Sequence, residues 1–541
     1  MDFTCVHEVS SGACEDGGTV TYKGVDRGIQ VGKMDRLMMM MMIWATLMAL
    51  LMAAIISQAR KMRRSHKRAR LPAGSPGWPL VGETLEFVSC AYSPRPESFM
   101  DKRRLLYGKV FRSHLFGSPT IVSTDAEVSR WVLQSDGRSF VPSYPKSLME
   151  LMGKSSILLI NGNLQRRVHG LIGAFFKSSD LKAQITRDMQ CFVQRSMSSW
   201  TNERLIHIQD EAKHIVFQIL VKGLIGLQSV TETQFLKQQF KEFIAGLMSL
   251  PAKKKMVTLI KSIILEKRKN NRGRTPLDVV DVLINDASDQ LTDDLISDNM
   301  IDLMIPAEDS VPVLVTLAVK YLSECPLALQ QLEVQFMIIK HESLLVLPSA
   351  CPHHEPINHH TRLQVENIRE DSEHAMHCMG EENMQLKKRR SLPGEDLQWT
   401  DYMSLSFTQD VITETLRLGN IISGIMRKAV RDVEIKGHFI PKGWCVFTYF
   451  RSVHLDENHY DEAYKFDPWR WKDKDMSTCS FTPFGGGQRL CPGLDLARLE
   501  ASIFLHHLVT NFTWVAEEDQ IVNFPTVRMK RRMPIRVRRK T

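Results

Sequence analysis

The residues from Phe481 to Val509, FTPFGGGQRLCPGLDLARLEASIFLHHLV, set a single thiol, Cys491, among four glycines, two prolines and an arginine, just ahead of an amphipathic run. Glycine at 485, 486, 487 and 493 lets backbone approach a flat ligand and adopt positive φ in tight turns, while Pro492 limits the loop's freedom. A thiolate held there is a soft metal ligand. It needs stabilising by the metal, by backbone N–H groups or by a helix N-terminus, and the helix predicted from Leu494 supplies the last. Arg489 can pair bidentately with a carboxylate. Together these groups fit a haem with one axial thiolate and an acidic propionate. For Cys-x-Gly alone, a buried structural cysteine in a turn would be the better reading.

Such a loop has to be positioned by a large body. The chain has 541 residues, 43% hydrophobic and 24% charged, enough for a substantial core. Apolar residues recur at three- and four-residue spacing from Asp210 (DEAKHIVFQILVKGLIGL) and from Ser297 to Pro326, which predicts long helices. Strand-like pieces cluster at VFRSHLFGSPTIVST from Val110 and AVRDVEIKGHFIPKGWCVFTYF from Ala429, the second reading as a hairpin. The expectation is a mainly α body with a small β region.

Residues 37 to 56 carry no charge and are long enough to span a hydrocarbon core as one helix. Seven Lys or Arg follow at once in RKMRRSHKRAR, so the positive-inside rule puts everything downstream in the cytosol. The segment 57–80 reads as a basic, Pro/Gly-rich hinge, and 81–541 as the catalytic domain. Residues 1–33 are a polar extension, and Met34 is the expected natural start. The net charge of +9 is concentrated in runs beside the anchor and at the C-terminus, without interleaved aromatics, which favours membrane-surface contact over nucleic acid. Ten scattered cysteines form no C-x-x-C pair, so reduced thiols are expected.

The cysteine loop resembles the haem-binding signature F-x-x-G-x-R-x-C-x-G of the cytochrome P450 family, at Phe484, Gly487, Arg489, Cys491 and Gly493. The resemblance implies the P450 fold, haem b with Cys491 as axial ligand, and Phe484 packed beside the sulfur. Glu414 and Arg417 in ETLR match the family's E-x-x-R, and Arg470 in FDPWRW its third charged member, which implies a buried scaffold rather than a catalytic group. PAEDS resembles the oxygen-activating (A/G)-G-x-(D/E)-T, with Ala307 for glycine and Ser310 for threonine, so Asp309 and Ser310 are implied proton relays. Pro306 and Pro312 remove helix hydrogen bonds nearby, and a kink is expected there. Where the family places W-x-x-x-R on a propionate, NGNLQRRVHG supplies Gln165 and His169, with Arg166 between them.

Longer stretches, among them SFVPSYPKSLMELMGKSSILLINGNLQRR, MIPAEDSVPVL and the C-terminal third, resemble the plant brassinosteroid-biosynthetic branch, nearest its steroid C-23 hydroxylases. That implies a lipophilic steroid substrate, O2, electrons from NADPH through cytochrome P450 reductase, and a single-pass endoplasmic reticulum membrane protein. Ala307, Ile421 and Ile422 are expected pocket residues. One segment does not belong. Residues 334–380 interrupt an amphipathic helix; without them Leu329, Leu332 and Met384 share one face. The His and Cys residues of this insert fit no standard zinc spacing, and a retained intron is the expected source. The competing functions are oxidation of another steroid or terpenoid position, peroxide rearrangement, and an inactive haem-binding membrane protein disabled by the insert.

Overall fold

The computed structural model describes residues 27–66, 71–79, 81–135, 137–144, 155–245, 250–270, 275–286, 291–340, 396–472, 480–524 and 526–540, with Met149 and Met152. The chain divides into two units at Ala69/Arg70. The first contains helix α1 (Arg27–His66), whose stretch Met38–Gln58 is long and apolar enough to cross a membrane. Its side chains from Met38 to Ile56 are largely exposed, as expected of a surface meant for lipid. The polar extension before Arg27 lies outside the described residues.

The second unit is helical with small sheets. Helices α2 (Thr84–Ala91) and α3 (Ser98–Tyr107) precede strands β1 (Val110–Leu115) and β2 (Ser118–Ser123). Phe116 and Gly117 both take positive φ between these strands, the backbone of a tight two-residue hairpin. Helix α4 (Ala126–Gln134) and strand β3 (Phe140–Pro142) lead to α5 (Gly162–Lys177), α6 (Ser179–Ser198), strand β4 (Leu205–His207) and α7 (Ile208–Ile225). Next come α8 (Val230–Ala245), α9 (Leu250–Asn270), α10 (Val279–Ile284), the long α11 (Asp293–Glu324) and α12 (Pro326–Lys340). The last part holds α13 (Trp399–Met403), α14 (Ser406–Gly419), β5 (Gly424–Ala429), β6 (Val433–Ile435), β7 (His438–Ile440), β8 (Cys445–Tyr449), α15 (Phe450–His454) and α16 (Leu494–Asn511), then β9 (Phe512–Ala516), β10 (Ile521–Val522), β11 (Arg528–Met529) and β12 (Pro534–Arg539). The main sheet has the order β1-β2-β8-β5-β3, and β6 and β7 form the hairpin that the turn residues Lys436 and Gly437 predict.

Helix α11 organises the body. Thr292 caps it by accepting from the Leu295 amide at 3.2 Å. Its C-terminal half, Val311 to Leu322, is almost wholly buried in the largest core cluster with α14 and α16, and its N-terminal half packs into a second cluster with α7, α8 and α9. The helix assignment runs unbroken through Pro306 and Pro312. Between the two buried halves, residues 305–310 all retain exposure, Pro306 most of all. Helix α16 is a buried rod, with eleven buried residues among its eighteen. Burial on several sides takes in Glu500, Ser502 and His507 as well as the apolar residues, so the helix is more enclosed than an amphipathic run alone would be.

The interruption read from the sequence starts at 334, but α12 continues to Lys340. Gln335 accepts from the buried Thr408 hydroxyl at 2.6 Å, and Phe336 is fully buried edge-on to the His506 ring at 4.8 Å. The insert's first residues therefore occupy core positions; its histidines and cysteines lie outside the described residues.

Candidate functional site

The loop ahead of α16 is folded on itself by three backbone bonds: Gly485 N–H to Thr482 O, Leu490 N–H to Gly487 O and Cys491 N–H to Phe484 O, each 3.1 Å. The Gly493 amide hydrogen-bonds the Cys491 sulfur. Burial pushes the Cys491 thiol up, and this amide bond draws it the other way. Two glycines differ in what they serve. Gly487 has φ +65, and a Cβ there would sit 2.2 Å from Leu133 O of α4, so only glycine fits. Gly493 has no such φ, and a Cβ would meet no protein atom within 4 Å, so this side of the loop is open.

Behind the loop lies a buried polar scaffold. Arg417 donates to both oxygens of Glu414 at 2.9 and 2.7 Å and to the carbonyls of His454 and Ala463. Arg470 Nε and Trp471 Nε1 complete the Glu414 carboxylate at 3.0 and 2.9 Å. The side chains of Glu414 and Arg417 are both 0% exposed. This places together Glu414 and Arg417, singled out by their spacing, and Arg470, expected from the family resemblance, and it adds a residue the sequence reading missed. His454 accepts from the Thr482 amide at Nε2 (3.1 Å), so its proton is on Nδ1 and points to Asn420 Oδ1 at 2.7 Å. Burial and the flanking Arg417 and Arg451 hold His454 neutral, its pKa pushed down to about 3. The imidazole thus hangs the start of the cysteine loop on the scaffold.

On the other side, Asp309 does not face Ser310 alone. Lys213 of α7 donates to Asp309 Oδ1 at 2.5 Å, with both side chains a little over a quarter exposed. The pKa of its neighbour Glu308 is raised by burial, against the pull of Lys213. Ala307, Ser310 and Ile421 are part-exposed, and Ile422 is 46% exposed, as surfaces lining an opening are.

Helix α5 brings Gln165 and His169 to the loop. The Gln488 amide donates to Gln165 Oε1 at 3.0 Å, and His169 Nε2 lies 2.8 Å from the Leu490 carbonyl. Gln165 is 1% exposed, yet its Nε2 has no partner. Arg489, expected on a carboxylate, instead donates to the carbonyls of Ile157 and Ile160 and to Asn161 Oδ1 at 3.0, 2.8 and 2.9 Å. Phe484 packs its ring against the main core cluster while its carbonyl holds Cys491.

A haem fits these residues. The donor set is one amide-bonded thiol, and among the described residues no three His, Cys, Asp or Glu side chains gather as a bare-metal site. Among the described residues an unmatched buried Gln165 Nε2 and the open side of Gly493 lie at the same loop, and residues 305–310 of α11 retain exposure.

The comparisons with known proteins agree. The family described as Cytochrome P450 matches residues 72–256 and 374–534. The chain is 66% identical to "Cytochrome P450 90D2" of Oryza sativa subsp. japonica, covering 87% of this chain and 89% of that one. It is 54% identical to "3-epi-6-deoxocathasterone 23-monooxygenase CYP90D1" of Arabidopsis thaliana, covering 87% and 90%. Among solved structures it resembles a retinoic acid-bound cyanobacterial CYP120A1, with TM-score 0.64, 20% identity and coverage of 87% and 99%.

Proposed function

Because this chain belongs to the cytochrome P450 family of haem-thiolate monooxygenases, we propose that it hydroxylates a plant steroid side chain at C-23 in brassinosteroid biosynthesis. The observation that carries this is the 54% identity to the Arabidopsis 23-monooxygenase over nearly the whole of both chains. The site geometry supports it. Cys491, just ahead of α16 and bonded by the Gly493 amide, would hold the haem iron through its thiolate. Gly487 lets the loop pass against α4, and Phe484 fixes the loop's turn. Arg489, Gln165 and His169 would be the groups for the propionates: among the described residues Gln165 Nε2 is unmatched, and Arg489 is seated beside it by the Ile157 and Ile160 carbonyls.

When bound, the haem supplies the activation of O2 that inserts one oxygen atom into an unactivated C–H bond. The chain's own residues do the rest. Ala307, Ile421 and Ile422 form an apolar wall that orients the steroid. Asp309 and Ser310 move protons toward the distal side, and because Lys213 holds Asp309, each transfer requires that ion pair to open. Asp309→Asn should therefore lower turnover about 100-fold while leaving substrate binding intact.

The partner that supplies electrons is an NADPH-cytochrome P450 reductase. Arg130, Arg138 and Arg166 are exposed on or beside α4 and α5, the helices that cradle the loop, a basic surface for an acidic partner. The α1 span and the basic run after it support the reading of a single-pass protein of the endoplasmic reticulum with a cytosolic catalytic domain.

The test is a carbon monoxide difference spectrum of the reduced, membrane-expressed protein, with and without residues 334–380, followed by turnover of 3-epi-6-deoxocathasterone with reductase and NADPH. A strongly red-shifted Soret band and a product hydroxylated at C-23 are expected. A band without that product ends the substrate assignment; no band in either form ends the thiolate assignment.

A further inference from the structure

Residues 155–161, between the described Met152 and α5, form a strap fastened from two sides. From α11, Asn299 accepts the Ile157 amide at 2.7 Å and donates to Ser155 O at 3.1 Å and to its own helix at Leu295 O. One turn later, Asp302 takes a hydrogen bond from the Ser156 hydroxyl, and Ser156 Oγ accepts the Leu158 amide at 3.2 Å. From the cysteine loop, Arg489 holds the carbonyls of Ile157 and Ile160. Leu158 and Ile160 pack against the second core cluster. The strap therefore joins α11 to the loop that carries Cys491.

Its fastening on the α11 side is unusual in one respect. Ser156 and Asn299 are 0% exposed and Asp302 2%, yet among the described residues Asp302 Oδ2 has no partner. Buried with an unmatched oxygen, the ionised carboxylate costs more than the protonated one, although the Ser156 hydroxyl bond favours the ionised form. The charged groups around it do not relieve this. Lys253 of α9 pulls toward the ionised form but is itself engaged by Asp298 at 3.1 Å and by Met152 O at 2.8 Å, and Asp298 pushes the other way. Burial dominates, and the Asp302 carboxyl is pushed up to about 7.

We propose that Asn299 and Asp302 are positioning residues that clamp the 155–161 strap, and that the clamped strap holds Arg489 in register and gives way more readily as pH rises toward neutrality. The functional half of this rests on the haem-site reading above; the clamp itself does not. Deprotonation near neutral pH loosens the strap, so affinity for a hydroxylated steroid falls as pH rises, without loss of the haem.

The test reads amide hydrogen exchange at Ile157 and Leu158, whose N–H groups are bonded within the clamp, in the full-length protein from pH 6 to pH 8.5. After correction for intrinsic rates, protection should fall about tenfold across this range in the wild type. It should stay flat in Asp302→Asn, and be low throughout in Ser156→Ala. Steroid titrations followed by the Soret spin-state shift should show a parallel several-fold loss of affinity in the wild type and none in Asp302→Asn. Wild-type protection that ignores pH, or an Asp302→Asn variant that keeps the wild-type pH dependence, overturns the proposal. Exchange is read without steroid or turnover, so the clamp stands or falls separately from the substrate assignment.

Discussion

The two sides of the cysteine loop are built on opposite terms. Behind Cys491, charge is buried and fully partnered: Glu414 and Arg417 share two bonds at 0% exposure, with Arg470 and Trp471 closing the set. Across from it, residues 305–310 of α11 stay open, Asp309 and Lys213 meet while still touched by solvent, and Asp302 is buried with an oxygen unmatched. The first arrangement resists motion because any displacement strands a charge in low dielectric. The second keeps groups able to change partners, which is what proton transfer and substrate admission require.

The comparison breaks most clearly at Arg417. Arg417→Ala leaves Glu414 as an uncompensated buried charge, and about 3–5 kcal/mol of stability should be lost; the variant should accumulate no reduced carbon monoxide band, and a normal band would refute the scaffold role. pH separates the two sides next, with opposite signs. His454 titrates near 6.5 unfolded and about 3 folded, so its stability contribution is complete above pH 6.5 and is lost as pH falls toward 3. The slope should be about 1.4 kcal/mol per pH unit, flattened in His454→Gln, as unfolding midpoints between pH 4.5 and 7.5 would show. Asp302 titrates at 3.8 unfolded and about 7 folded, so it has the reverse sign. Stability is complete below pH 3.8 and lost as pH rises toward 7, and Asp302→Asn should be the more stable protein at pH 8 by up to about 4 kcal/mol.

Smaller effects sharpen the picture within the loop. Gly487→Ala forces a Cβ onto Leu133 O and a side chain onto positive φ, and should cost about 1–3 kcal/mol, read as a lowered melting temperature. Gly493→Ala meets no protein atom, so the bare chain should tolerate it while haem retention falls. The smallest change is expected from Lys213→Met, whose half-open ion pair should contribute under about 1 kcal/mol, visible in coupling of electron use to product rather than in melting.

What the sequence made legible were groups close together in the chain. Cys491 with Gly487 and Gly493, and Glu414 with Arg417, lie within a few residues, where loop chemistry and helical spacing speak directly. The body's helices and the β6–β7 hairpin were readable from periodicity and from Lys436-Gly437 for the same reason. Pairings across long separations were not. Lys213 meets Asp309 from 96 residues away, and Asn299 meets Ile157 from 142, with nothing local to mark either partner. His454 was hidden differently: only the carbonyls, Asn420 and Thr482 around it reveal that it is a neutral strut rather than a surface histidine. The boundary at 334 came from the apolar face that Leu329, Leu332 and Met384 share once 334–380 are removed, and α12 runs on past it with Phe336 in the core.

The tautomer fixed on His454 separates two kinds of traffic. An imidazole locked as Nδ1–H, between arginines that never release their protons, makes the scaffold side chemically silent across the physiological range. On the proposed function, a reductase docked on the basic surface would meet no proton exchange here, and the protons consumed would arrive past Lys213 and Asp309. Electrons and protons would then reach the centre by separate routes, each open to mutation without disturbing the other.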